Sequence, residues 1–177
     1  QTCALPIYHQ TVGIASTLGL NFLSGNIVRN LSNASPNSQV NSGAAVIGIA
    51  MQSTTGAQSI AGNTVHSLSS TDATGSPVSV VGIVDLITGT PTSFFGKSLI
   101  SRNNVHSFSV VSQNPIATMY GITAVNRAAD LVNNMVRLGI DASGTSVSNG
   151  CIIAGIIKQQ TLSNTNTLPY AIGNYDG

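Results

Sequence analysis

Two short motifs alternate along this chain, and their alternation restricts the possible folds more than any other feature. The first has an aliphatic residue, Asn three positions later, Val two after that, then Arg or His. It occurs as LSGNIVRNL (23–31), IAGNTVHSL (60–68), ISRNNVHSF (100–108) and LVNNMVRLG (131–139). The second reads TVGIA (11–15), VIGIA (46–50), VVGIV (80–84), MYGIT (119–123) and IAGII (153–157). Steps between Asn26, Asn63, Asn103 and Asn134 are 37, 40 and 31 residues, and those between Ile14, Ile49, Ile83, Ile122 and Ile156 are 35, 34, 39 and 34. Two motifs sharing one mean period mark a repeat architecture, in which each unit buries its apolar side against its neighbours.

The repeats are dense in β-branched residues and Asn, carry glycine at a fixed interior position and lack a long stripe of period 3.6, which excludes a helical solenoid. Tracts such as SNASPNSQVNSG (32–43) and SSTDATGSP (69–77) read as surface loops, where length is free to vary. Short strands stacked coil on coil, ~4.8 Å apart, follow from this pattern. Val65 and Leu68 are three residues apart and would face opposite sides of a flat strand, so the pair His66–Ser67, like Arg29–Asn30, is expected to bend and turn both inward. Val28, Val65, Val105 and Val136 then form one interior file, and Ile49, Ile83, Ile122 and Ile156 another. Asn26, Asn63, Asn103 and Asn134 form a ladder of side-chain amides at a corner that tolerates left-handed backbone. The glycine before each isoleucine permits a tight corner or close packing.

The I-x-x-N-x-V-H-S-[LF] and V-x-G-I patterns, spanning about residues 11–177, resemble those of long secreted right-handed parallel β-helix repeat proteins of bacteria, especially large cell-surface proteins. At the level of fold they are similar to the pectate-lyase-like superfamily. The resemblance implies an all-β, right-handed, single-stranded parallel β-helix of about four to five coils of ~35 residues, the handedness agreeing with the crossover preference of parallel strands. It also implies an extracellular or cell-surface setting, with neighbouring β-helix repeats of the same longer chain as partners and extracellular polysaccharide as a candidate ligand. Residues 1–7, QTCALPI, resemble a translated sequencing adaptor, so residues 8–177 are read as a β-helix fragment truncated at both ends, with apolar rungs exposed there. Cys151, in CIIAGII, reads as a small buried hydrophobe.

Only 6% of residues are charged, against ~25% in a typical soluble domain, and Glu is absent. A net charge of +1 supplies no general field for nucleic acid or anionic lipid. The longest apolar runs, such as AAVIGIAM (44–51), fall far short of the ~20 residues that span a bilayer. No phosphate loop, serine-nucleophile elbow or paired-cysteine metal motif occurs, so no cofactor is expected.

Polysaccharide-cleaving sites generally need several carboxylates in one groove. The five available are Asp72, Asp85, Asp130, Asp141 and Asp176, none at equivalent repeat positions. Asp130 and Asp141, flanking the fourth Asn motif with Arg127 and Arg137 nearby, are the candidate catalytic pair. The second candidate is the column Arg29, His66, His106 and Arg137, which follows the repeat Val. Its functional readings are a basic strip for an anionic glycan or a two-histidine metal site, although two histidines without a third ligand hold zinc poorly. The plainer and preferred reading is a solvated corner whose planar side chains stack, the two histidines ~5 Å apart and uncharged at neutral pH. The sequence therefore favours a structural or adhesive segment, with a carbohydrate-active or glycan-binding domain as the alternative.

Overall fold

A computed structural model describes residues 9–53, 57–87, 97–126 and 128–159 and the strand Tyr170–Gly173. The adaptor-like residues 1–7, with Cys3, and also Arg127 and Asp176 lie outside the described residues. The described chain holds strands and no helix, and it winds as a parallel β-solenoid of about four turns.

Successive turns add strands to three sheets, the third turn giving two short strands to the last of them. β1 (Thr11–Ser16), β4 (Val46–Gln52), β7 (Ser79–Leu86), β11 (Thr118–Val125) and β14 (Ile152–Gln159) form the first. β2 (Phe22–Ser24), β5 (Ser59–Ala61), β8 (Ser98–Ser101), β12 (Ala129–Val132) and β15 (Tyr170–Gly173) form the second. The third holds β3 (Ile27–Asn33), β6 (Thr64–Ser70), β9 (Asn104–His106), β10 (Ser109–Val110) and β13 (Met135–Arg137). Every pairing between these strands is parallel.

Register aligns the motifs. Val28 pairs with Val65, Val65 with Val105, and Val105 with Val136. Ile14, Ile49, Ile83, Ile122 and Ile156 pair in the same successive way. Both files pack in one core, with Ile60, Leu68, Ile100, Phe108 and Leu131 filling the space between. Middle-coil residues such as Ile49, Val65 and Ile83 are fully buried, whereas Ile14, Leu23 and Leu31 in the first coil, and Val136 and Ile156 in the last, are only partly buried. End rungs have a neighbouring coil on one side only among the described residues, so less of their apolar surface is removed from water.

The first sheet departs from a one-sided pattern. Ile47, Val81, Val84, Leu86 and Val125 form a second apolar cluster on its outer face, and β7 is buried along its whole length. Its near-continuous apolar sequence is compatible with cover on both faces. Asp85 lies within β7 and is fully buried. Asp72 is also buried; its two carboxylate oxygens accept from the Thr74 amide and hydroxyl at 3.2 and 3.0 Å.

The Asn ladder is continuous and runs one way. Backbone N and Nδ2 of Asn26 both donate to Oδ1 of Asn63 at 2.9 Å. Asn63 donates likewise to Asn103 at 3.0 Å, and Asn103 to Asn134 at 3.1 and 2.9 Å. A second Nδ2 bond ties each coil back to its predecessor, from Asn63 to Leu23 O, Asn103 to Ile60 O and Asn134 to Ile100 O.

Left-handed backbone is not at the ladder Asn itself but one residue earlier, at Gly25, Gly62, Arg102 and Asn133, with φ of 67°, 65°, 55° and 53°. The preceding residue makes the turn, which leaves the Asn amide and side chain both aimed along the stack. Arg102 carries that conformation without glycine's freedom, so Arg102→Gly is expected to stabilise the protein by about 0.5–1 kcal/mol, the relieved strain exceeding the added chain entropy. A rise in the urea midpoint would show it. At the next corner, Asn30, Ser67 and Ser107 have φ of 58°, 56° and 63°, so the bend falls on the second member of each Arg-Asn or His-Ser pair. Val65 and Leu68 are both fully buried across it.

Candidate functional site

The outer face of the third sheet carries two parallel columns, because residues two apart on a strand share a face. Ile27, Thr64, Asn104 and Met135 form one, and Arg29, His66, His106 and Arg137 the other. Val28, Val65, Val105 and Val136, between them in sequence, point into the core.

His66 and His106 are stacked, with ring centroids 5.0 Å apart and planes within 5° of parallel. Each ring is fixed by the serine that follows it. His66 Nδ1 shares a hydrogen bond with Ser67 Oγ at 2.9 Å, and His106 Nδ1 with Ser107 Oγ at 2.8 Å. Arg137 Nη2 donates to Ser107 Oγ at 3.4 Å. The left-handed φ at Ser67 and Ser107 turns each hydroxyl back toward its histidine. Sequence reasoning placed Ser67 in the bend but gave the serine hydroxyls no part; their signal was the recurrent Ser after His in VHS.

Burial lowers the His106 pKa below its usual value, and the charges of His66 and Arg137 lower it further. A depressed folded pKa gives stability that is fully present above the unfolded value of ~6.5 and is lost as pH falls through the folded value. His106 is half-exposed, so screening by solvent keeps the loss to a fraction of about 1 kcal/mol. The urea midpoint is expected to fall from neutral pH toward about pH 5, and H66Q/H106Q is expected to flatten that slope.

Imidazole lone pairs lie in the ring plane, and two nearly parallel stacked planes do not converge on one ion. Among the described residues no group of three or more His, Cys, Asp or Glu could hold a metal.

Asp130 and Asp141 are not brought together. Asp130, on β12 of the second sheet, pairs with Lys97 Nζ at 2.8 Å. It lines a depression of about 370 Å³ with Leu99, Ser101 and Arg102. Asp141 lies in the loop after β13, where Oδ1 accepts from Ser143 N, Ser143 Oγ and Thr145 N at 2.9, 2.7 and 2.9 Å. The Ser143 hydroxyl and then the Thr145 amide hold its carboxyl below the usual carboxylate range. Asp141 shares a hydroxyl-rich groove of about 390 Å³ with Ser32, Ser69 and Ser109 on successive coils, and Ser67 and Ser107 also line it. Cys151 is partly buried against the core, and burial pushes its thiol pKa up.

Comparison with protein-family models, curated proteins and solved structures finds no match to this chain. The chemistry of the site rests on its own geometry.

Proposed function

We propose that this chain is a structural or adhesive β-solenoid segment of a large secreted, cell-surface bacterial protein. Its partners are then neighbouring β-helix repeats of the same longer chain. The observation that carries the reading is the continuous Asn ladder, which commits the most regular polar column of the repeat to joining coils. The low charge of the chain supports it, as does the engagement of Asp130 with Lys97 and of Asp141 with its own loop. The secreted setting, the right-handed winding and the likeness to pectate-lyase-like proteins follow from the resemblance of the repeat. Among the described residues no helix is long and apolar enough to cross a membrane.

The alternative is a carbohydrate-active or glycan-binding domain, and the observation favouring it is the serine-lined groove beside Asp141. Incubation with neutral and acidic polysaccharides separates the two. The structural reading expects no product release; turnover that disappears in Asp130→Asn or Asp141→Asn would overturn it. Saturable binding without turnover, lost on filling the groove through Ser69→Trp, would establish the glycan-binding alternative. The full reading frame offers a second test, since the structural reading expects a secretion signal and an anchoring region in the same chain.

A further inference from the structure

Composition spreads few charges over this chain, but winding gathers Arg29, His66, His106 and Arg137 into one line on the outer face of the third sheet. The line has an arginine at each end and the stacked histidines between them. Both arginines are exposed and both histidines half-exposed. Beside the terminal arginines stand Ile27 and Met135, 70% and 67% exposed on the same face. Thr64 and Asn104 separate them, so the patch is cationic along one column and apolar at both ends of the other.

We propose that this face is a proton-gated docking surface for an anionic lipid bilayer. Arginine guanidinium groups bind lipid phosphates as paired donors, while exposed aliphatic side chains beside them enter the headgroup boundary. That combination selects a membrane surface over a soluble polyanion, which would contact the charges and leave Ile27 and Met135 in water. The gate is the histidine pair. The strip carries two arginine charges, and each ring that takes a proton adds one more.

The groups facing the histidines are Arg29 on β3 and Arg137 on β13, together with Ser67 on β6 and Ser107 just after β9, which hold the two Nδ1 atoms. Asp141 opens on the adjoining groove, and its carboxylate is held by its own loop. Without lipid, protonation sets four cations in a row. Lipid phosphates neutralise them, so binding takes up protons and acid strengthens docking. The inference stands apart from the structural reading, since a rod segment without lipid affinity remains a rod segment.

The test is co-sedimentation of the full chain with vesicles of one part phosphatidylglycerol to two parts phosphatidylcholine, and with pure phosphatidylcholine. At ~1 kcal/mol for each basic charge near an anionic surface, one to two added charges predict that partitioning rises about 5- to 30-fold from about pH 7.5 to about pH 5. Pure phosphatidylcholine should show no such rise. H66Q/H106Q should remove the pH step, and I27S/M135S should weaken binding at both pH values; these four positions are on the surface, and circular dichroism checks that each variant is folded. Partitioning that ignores pH, or survives H66Q/H106Q with its pH step intact, overturns the proposal. So does vesicle binding insensitive to I27S/M135S together with equally pH-dependent capture by dextran sulfate, which would make the face a strip for soluble polyanions.

Discussion

Replacing Asn103 with alanine is expected to cost ~3–5 kcal/mol, a large part of the ~5–15 kcal/mol that stabilises a domain. Asn103 is 1% exposed and bonds on both sides of its coil. Its Oδ1 accepts from Asn63 N and Nδ2, and its Nδ2 donates to Asn134 Oδ1 and Ile60 O. Alanine takes the acceptor from the Asn63 backbone N–H and from one of the two Asn63 Nδ2 N–H bonds, the other keeping Leu23 O, and removes the side-chain donor to Ile60 O, where water does not reach, each at ~1–3 kcal/mol. Asn26→Ala supplies the comparison. Among the described residues no donor reaches the Asn26 Oδ1, and Asn63 Oδ1 keeps the backbone bond from residue 26, so the loss should stay below about 1 kcal/mol. Urea unfolding of the two variants checks the difference, and equal losses would mean that the ladder contributes nothing beyond local turns.

Gly82→Ala is also expected to destabilise the protein, by a different route. A Cβ on Gly82 would lie 2.5 Å from Gly121 O, 2.6 Å from Val105 Cγ1 and 3.0 Å from Phe108 Cζ. The nearest of these belongs to the backbone of the next coil, so relief requires coils to move apart. Overpacking of this kind costs ~1–3 kcal/mol or more, and Gly82→Val should prevent soluble folding. Gly62 makes the contrast, because its added Cβ meets nothing within 4 Å and its φ of 65° is the only constraint. Gly62→Asn is expected to change stability by less than about 1 kcal/mol, since Asn tolerates that region. Thermal melts of the three variants should rank them Gly62→Asn, Gly82→Ala, Gly82→Val from mildest to most severe.

The stacked, parallel, all-β architecture was legible because winding repeats the same physical requirement at every turn. A file such as Val28, Val65, Val105 and Val136 needs the same size and polarity at each position, which writes a period into the chain. Features set once per molecule left no such trace. The second apolar cluster, on the outer face of the first sheet, depends on what covers that face, and the run SVVGIVDL is equally consistent with a strand buried on one side and ended by Asp85. The left-handed residue before each ladder Asn was hidden because glycine occupies it in two coils and Arg102 and Asn133 in the others. At the candidate site, the column of Arg29, His66, His106 and Arg137 was visible as spacing. The hydroxyls of Ser67 and Ser107 were not, because their part depends on a backbone turn that serine seldom makes. Asp130 and Asp141, close along the chain, belong to different elements and line different depressions, which their spacing in sequence concealed.

The one-way ladder also gives the molecule an electrical sense. Asn26, Asn63 and Asn103 each point one side-chain N–H toward the next coil, and Asn63, Asn103 and Asn134 each turn the carbonyl toward the one before, so the dipoles along the ladder add, and each polarises its neighbour. Fractional negative charge therefore collects at the Asn26 end and fractional positive charge toward Asn134. Two such solenoids meeting end to end are attracted when unlike ends face each other and repelled when like ends do.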